Sequence, residues 1–236
     1  MNSPESIRLF INRSFSDLRF SSAELVNCSF ASNLGVLIIF LLGNFLRGFD
    51  FINYLNMILI LHDCDLEKTV ENLVDGSFFN SGQSCCGIER IYVDEKIYNN
   101  FIELFVSKTY NYKLGNPLEK ETNLGPVVKL SAADFILKQM NSAINKGAKK
   151  MIDENKFNFP KEHKNYLIPQ VLTNATHDMS FMTEETFGPC VGIMKVKSEN
   201  EAIKLMNDSP YGLTASIWTK DLELAEKIGN QVETGT

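Results

Sequence analysis

Residues 78–90 read FFNSGQSCCGIER. Ahead of them, DLEKTVENLVDGSFF (65–79) opens on an aspartate suited to a helix N-cap and sets Leu66, Val70, Leu73, Val74 and Phe78 on one helical face. Behind them, RIYV (90–93) is short, β-branched and aromatic, which is the pattern of a strand. A helix that runs into Gly-Gln-Ser-Cys and gives way at once to a strand puts two adjacent thiols on a connection, where reactive groups are usually displayed.

The same alternation continues outward. EKIYNNFIELFVSKTY (95–110) predicts a helix with Ile97, Phe101, Leu104 and Phe105 aligned. KLGNPL (113–118) and NLGPVV (123–128) are turn-rich and mark a long connection. SAADFILKQMNSAINKGAKK (131–150) predicts a helix capped by Ser131 and closed by Gly147. YLIPQVL (166–172), VGIMKV (191–196) and LTASIW (213–218) read as strands, and SENEAIKLMND (198–208) and DLELAEKIGNQV (221–232) as helices. Ser198 with Glu201 matches a capping box. Strands alternating with helices predict an α/β fold with a mostly parallel sheet flanked by helices.

A chain of 236 residues has room for one large domain or two small ones, and 44% hydrophobic with 22% charged residues is ordinary for a globular protein. The net charge of −6 argues against nucleic acid as a partner, because no basic stripe is available to neutralise phosphates. Cys28, Cys64, Cys85, Cys86 and Cys190 fit neither a disulfide framework nor a paired zinc motif. Free thiols in a reducing compartment are expected, with no metal site and a cytoplasmic or, alternatively, mitochondrial location.

The composition changes along the chain. All 18 lysines lie from Lys68 onward, whereas Arg8, Arg13, Arg19 and Arg47 lie before residue 50, so a boundary is expected near residues 52–60. This divides the chain into an atypical N-terminal segment, 1–56, disordered or an apolar helix, and a coherent domain, 57–236. Three readings of the first segment compete. Met1–Phe30 is Ser/Arg-rich like a transit peptide, but Glu5, Asp17 and Glu24 count against that. Leu25–Leu46 carries no charge, yet Asn27, Ser29, Ser32, Asn33 and Asn44 cut its apolar run below the roughly 17–25 residues of a membrane span. The third is a mis-joined leader with no selected function.

An unperturbed thiol with a pKa near about 8.5 is only slightly ionised at neutral pH, so a nucleophilic cysteine needs a base, a cation or a helix N-terminus beside it. The bland alternative is a cysteine acting as a small buried hydrophobe. By position, the Cys85–Cys86 pair is the candidate for chemistry, ahead of Cys28, Cys64 and Cys190.

FFNSGQSCCGIER resembles the active-site signature of NAD(P)-dependent aldehyde dehydrogenases: a phenylalanine, Gly-Gln-x-Cys, and an arginine five residues past the thiol. Cys85 takes the nucleophile's place and Arg90 the arginine's. LHDCDLEKTVE (61–71), GNPLEKETNLGPVV (115–128), EETFGPC (184–190) and NDSPYGLTASIWTKD (207–221) resemble further blocks of that family in the same order, from about Met57 to Thr236. The resemblance implies the family's catalytic-domain fold. It also implies oxidation of a small-molecule aldehyde to a carboxylic acid with NAD or NADP, through a Cys85 thiohemiacetal and thioester. Glu185 would hold the nicotinamide ribose hydroxyls and Phe187 would lie beside the nicotinamide ring, while Asn80 and Gln83 would order the thiol loop. Without the resemblance, Glu185 reads as a solvated acid and Phe187 as core.

The departures are also informative. The family's general-base glutamate falls at Phe51 by counting back from Leu61, and Asp50 is only adjacent. The glycine-rich turn, asparagine and lysine of an upstream dinucleotide-binding domain are not found in residues 1–56, and relatives continue beyond VETGT. The expectation is therefore a catalytic-domain fragment without its cofactor domain. KFNFPKE (156–162) only superficially matches the family's Pro-Trp-Asn-Phe-Pro, and Asn158 is given no role. Two other readings stay open. One is a catalytically silent fragment that at most associates with full-length subunits, the family being usually oligomeric. The other is a cysteine hydrolase that pairs Cys85 with His163 or His177.

Overall fold

The computed structural model describes residues 7–9, 56–157 and 163–234. The apolar run Leu25–Leu46, Asp50 and Phe51 at the general-base position, and Asn158 all lie outside the described residues. The elements are β1 (Ile7–Leu9), β2 (Asn56–Ile60), α1 (Leu66–Phe78), β3 (Ile88–Asp94), α2 (Tyr98–Thr109), α3 (Leu130–Asn145), β4 (Lys149–Lys150), β5 (Gln170–Thr173), α4 (Ser180–Thr183), β6 (Cys190–Val196), α5 (Glu199–Asn207), β7 (Thr214–Thr219) and α6 (Leu222–Gly229).

The strands form one sheet in the order β1-β7-β2-β3-β6-β5-β4. The five inner strands run parallel, and an antiparallel strand closes each edge, β1 on β7 and β4 on β5. This is the α/β class with a mostly parallel, helix-flanked sheet. The inner strand β2, NMILI, is buried along its length, which is why it is a continuous apolar run without the alternation that marks a half-buried strand. Its side chains divide between two cores. Met57 and Leu59 join Tyr92, Ile136, Met140 and Phe181 on the face covered by α3 to α6. Ile58 and Ile60 join Val70, Leu73, Phe78, Phe101 and Phe105 on the face covered by α1 and α2.

The local signals that make α1 are those of its sequence. The Asp65 side chain accepts from the Lys68 amide at 3.3 Å, and Val70, Leu73, Val74 and Phe78 are buried. An N-cap of this kind contributes about 1 kcal/mol. In α5, Ser198 Oγ accepts from the Glu201 amide at 3.2 Å, but the Glu201 carboxylate closes on the amide of Lys197, at 2.7 Å, rather than on that of Ser198.

Two boundaries differ from the sequence expectation. α3 begins one residue before Ser131, with extended Lys129 at the N-cap position and no side-chain cap. The chain arrives there already fixed, because the Val127 amide donates to Asn165 O at 2.9 Å and the Val128 amide to Gln83 Oε1 at 2.7 Å. Of YLIPQVL, the strand takes only Gln170 onward, since Pro169 has no N–H for the ladder. Among the described residues no helix is long and apolar enough to cross a membrane.

Because β2, β3, β6 and β7 are parallel neighbours, the segments that enter them meet at the amino end of the sheet. Those segments are Asn56, the thiol loop before Ile88, the EETFGP segment before Cys190, and the chain before Thr214.

Candidate active site

The thiol loop is an irregular turn under tension. Asn80, Ser81 and Gly82 have φ of 50°, 57° and 69°, three left-handed residues in succession. Asparagine and glycine tolerate that region, whereas serine is strained there and must be held. The Ser81 hydroxyl is held by donating to Gly125 O at 2.7 Å. The Asn80 amide donates to Gln83 O at 2.9 Å, and the Gln83 amide donates back to Asn80 O at 3.2 Å and onward to Pro126 O at 3.3 Å. Asn80 and Gln83 thus order the loop, as the sequence led us to expect, and Gln83 also ties it to the Gly125–Val128 segment.

A second clamp was not legible in the sequence. Asn56, 2% exposed at the start of β2, donates from Nδ2 to Cys85 O at 3.0 Å and to Gly87 O at 2.9 Å. Its Oδ1 accepts from the Thr214 hydroxyl at 2.7 Å. One buried side chain therefore grips both sides of Cys86 and is itself oriented from β7. The Gly87 amide closes the turn on Ser84 O at 2.9 Å, which leaves the Cys85 and Cys86 side chains exposed at its tip.

Partial burial raises the Cys85 thiol above the ordinary cysteine value, and the neighbouring Cys86 raises it further; the loop amides of Cys85 and Cys86 act in the opposite direction. Ser84 Oγ lies 3.2 Å from Cys86 Sγ. Neither imidazole of the hydrolase reading joins the thiol. Both ring nitrogens of His177 are engaged, Nε2 with Tyr92 Oη at 2.9 Å and Nδ1 with the Asp208 carboxylate at 3.2 Å. The His163 ring lies against that of Tyr166. Cys64 and Cys190 are buried, with the Cys64 thiol pushed up to about 11 and that of Cys190 raised well above its usual value.

The EETFGP segment lies directly against the thiol loop. A Cβ on Gly82 would stand 2.0 Å from Gly188 O, so the Gly-Gln and Phe-Gly-Pro motifs touch backbone to backbone, and only glycine permits that approach. Beside this contact is a cleft of about 450 Å³ lined by Gln83, Ala132, Phe135, Glu185 and Phe187, among others. Glu185 is half-buried and Phe187 is 40% exposed, so neither takes the core or fully solvated position that a bland reading would give it. Cys85 is not itself a lining residue; it follows the lining residue Gln83 by two positions.

The segment is held by two adjacent residues of β3. Glu89 accepts from the Thr186 amide at 2.9 Å and from the Phe187 amide at 2.7 Å. Arg90 Nη2 donates to Glu184 O at 3.2 Å. The arginine of the motif is therefore a buried structural cation, fully enclosed, with its Nε and Nη1 unpaired among the described residues. In sequence, Glu89 has no legible role. No group of three or more metal-ligating side chains occurs among the described residues.

Residues 55–236 match the family model described as "Aldehyde dehydrogenase family". The chain is 35% identical over 181 residues to the 3-sulfolactaldehyde dehydrogenase of Priestia aryabhattai, covering 76% of this chain and 37% of that one. It is 37% identical over 182 residues to "Aldehyde dehydrogenase, cytosolic 1" of Elephantulus edwardii, covering 77% and 36%. Among solved structures, the NADP-dependent glyceraldehyde-3-phosphate dehydrogenase of Bacillus halodurans complexed with NADP superposes with a TM-score of 0.72 at 34% identity, covering 78% of this chain and 37% of that one. The betaine aldehyde dehydrogenase of Staphylococcus aureus in complex with NAD+ does so with a TM-score of 0.71 at 31% identity, covering 77% and 36%. The chain spans a little over a third of the length of these relatives. With its motifs in family order and its fold shared with these oxidoreductases, the chain belongs to the aldehyde dehydrogenase family.

Proposed function

We propose that this chain carries the thiol-bearing part of an NAD(P)-dependent aldehyde oxidation, with Cys85 as nucleophile and Glu185 and Phe187 as cofactor contacts. The observation that carries the reading is the backbone contact of Gly82 with Gly188, which joins the thiol loop to the segment bearing Glu185 and Phe187. The residues present suit a nicotinamide nucleotide. The cleft offers a carboxylate able to accept from two vicinal ribose hydroxyls and an exposed aromatic face beside it.

The chemistry at the thiol needs an ionised sulfur. Cys85 Sγ would attack the aldehyde carbon, forming a C–S bond and leaving the oxygen of the thiohemiacetal negatively charged. The Cys85 amide, which favours the thiolate in the resting loop, is the donor available to that oxyanion, the Cys86 amide being given to Ser84 Oγ at 3.4 Å. NAD(P), when bound, supplies the hydride acceptor that makes the aldehyde carbon an acyl carbon. Water then cleaves the resulting Cys85 thioester to release the carboxylic acid. Asn56 and Gln83 hold the loop through these changes without touching the reacting atoms.

A second reading has one observation in its favour. The Cys85 thiol is raised rather than lowered, so the described residues do not by themselves activate it. On that reading the chain is catalytically silent and acts, if at all, by associating with full-length subunits of the family. A small-molecule aldehyde as substrate and a cytoplasmic or, alternatively, mitochondrial location belong to the first reading.

Single-turnover spectroscopy separates the two. The purified chain is mixed with NAD or NADP and an aldehyde, reduced nicotinamide is followed by fluorescence, and the quenched protein is weighed intact and after digestion. The first reading expects a burst of reduced cofactor and an acyl adduct on the peptide containing Cys85. No burst and no adduct from any of a panel of aldehydes would leave the silent reading.

A further inference from the structure

Glu89 is the only buried carboxylate among the described residues, 5% exposed, and neither of its hydrogen bonds serves its own strand. Oε2 accepts from the Thr186 amide and Oε1 from the Phe187 amide, one oxygen for each of two successive N–H groups. The chain turns left-handed at the second of these, with Phe187 at φ of 52°. A bulky residue in that region is strained and persists only where its surroundings over-determine it. Here the restraint comes from both sides. Glu89 holds the two amides, and Arg90 holds the Glu184 carbonyl that precedes them. The outcome is specific: the Phe187 ring stands at the cleft, 40% exposed, with Glu185 lining the same space. A helix at this point would have set these two residues, two positions apart, on opposite faces.

We propose that Glu89 is a positioning residue for the cofactor-contacting segment, its carboxylate fixing the Thr186 and Phe187 amides so that Phe187 and Glu185 are presented together to a nicotinamide ribose. This rests on the cofactor reading above, but the hold itself is a property of the chain alone.

The geometry has a pH signature. Burial raises the Glu89 carboxyl to about 7, against the two amides and Arg90, which favour its ionised form. The titratable and charged groups that face it are Arg90 on its own strand, Glu185 on the segment it holds, and the Cys190 thiol at the start of β6, which its charge raises. When the carboxyl gains a proton, one oxygen becomes a donor aimed at an N–H group, and one of the two hydrogen bonds fails. The presentation of Phe187 therefore tightens as the pH rises through about 7. Global stability moves the opposite way, because the ionised carboxylate is the form that burial disfavours. A matching change in the affinity for a nicotinamide ribose is what a purely structural acid would not give.

The test follows the Thr186 and Phe187 amide resonances of the full ¹⁵N-labelled chain across neutral pH, with nicotinamide mononucleotide as the probe ligand. In the wild type both amides should titrate together with a midpoint near 7. Probe affinity should fall on acidification by about tenfold, the size of one charge-assisted hydrogen bond. Glu89→Gln should abolish the shared titration and show the weaker affinity at every pH. The wild-type arm needs no variant, so it decides the matter even if Glu89→Gln fails to fold. Amides that do not titrate, or a Glu89→Gln chain that titrates and binds as the wild type does, would overturn the proposal. If the probe binds the wild type at no pH while the amides still titrate, the cofactor reading fails and the hold of Glu89 on Phe187 stands.

Discussion

Replacing Gly82 by alanine tests the contact that joins the two halves of the site. The added Cβ would stand 2.0 Å from Gly188 O and 2.4 Å from Gly188 C, both backbone atoms with no side-chain freedom to yield. The residue sits at φ of 69°, a left-handed conformation that costs an alanine about 1–2 kcal/mol. Forcing the two loops apart adds the usual cost of overpacking, about 1–3 kcal/mol. The sum is about 2–5 kcal/mol, and for a chain of this length it lowers Tm by about 10 °C. Gly147→Ala is the control, because Gly147 also has positive φ, 111°, but its Cβ would meet nothing within 4 Å. Urea unfolding followed by circular dichroism gives both values. Gly82→Ala should be clearly the more destabilised, and it should lose any effect of cofactor on Cys85 reactivity. If Gly82→Ala costs no more than the about 1–2 kcal/mol of its left-handed φ, the close approach of the thiol loop to Gly188 is refuted.

Asn56→Ala should cost about 1–3 kcal/mol, since it leaves the carbonyl of buried Gly87 unpaired and frees the Thr214 hydroxyl. Alkylation of Cys85 and Cys86 in that variant should lose whatever selectivity the wild type shows, as read by mass spectrometry of the digested protein. For Glu89, the folded-state pKa is raised above the ordinary 4.5 to about 7, so the native chain binds the proton more tightly than the unfolded one. Its contribution to stability is present below about pH 4.5 and is lost as the pH rises through about 7. Denaturant midpoints measured across that window should fall with pH in the wild type, with that part of the slope removed in Glu89→Gln.

Where an element's stability is decided by its own residues, the sequence shows it. Asp65, Val70, Leu73, Val74 and Phe78 mark α1 at both cap and face, and Ser198 marks the start of α5. β2 was harder to see because NMILI is buried on both faces and shows no period. Ser131 was a misleading cap: the true start of α3 is set by Gln83 and Asn165, which lie far from it in sequence. The site was only half legible. Gln83 and Asn80 act on their own loop, and their types announce it. Asn56 acts across 29 and 31 residues to reach Cys85 and Gly87, and across 158 to reach Thr214, so nothing near it in sequence gives it a role. Arg90 was legible only as the motif's arginine and Glu89 not at all, because both are held by residues 184–187, which lie far from them in sequence and meet the amino end of β3. Glu185 and Phe187 stood out through family resemblance alone.

The central claim is that Cys85 is the nucleophile of a site shared with the Glu185–Phe187 segment, and competitive thiol labelling tests it most directly. The chain is treated with iodoacetamide near neutral pH, with and without an aldehyde and NAD(P), and each cysteine is quantified by mass. Cys86 is exposed beside Cys85, while buried Cys64 and Cys190 report unfolding. The account predicts that aldehyde protects Cys85 far more than Cys86, that NAD(P) changes the Cys85 rate, and that Cys64 and Cys190 stay slow throughout. Equal labelling of Cys85 and Cys86, unmoved by either ligand, would contradict it.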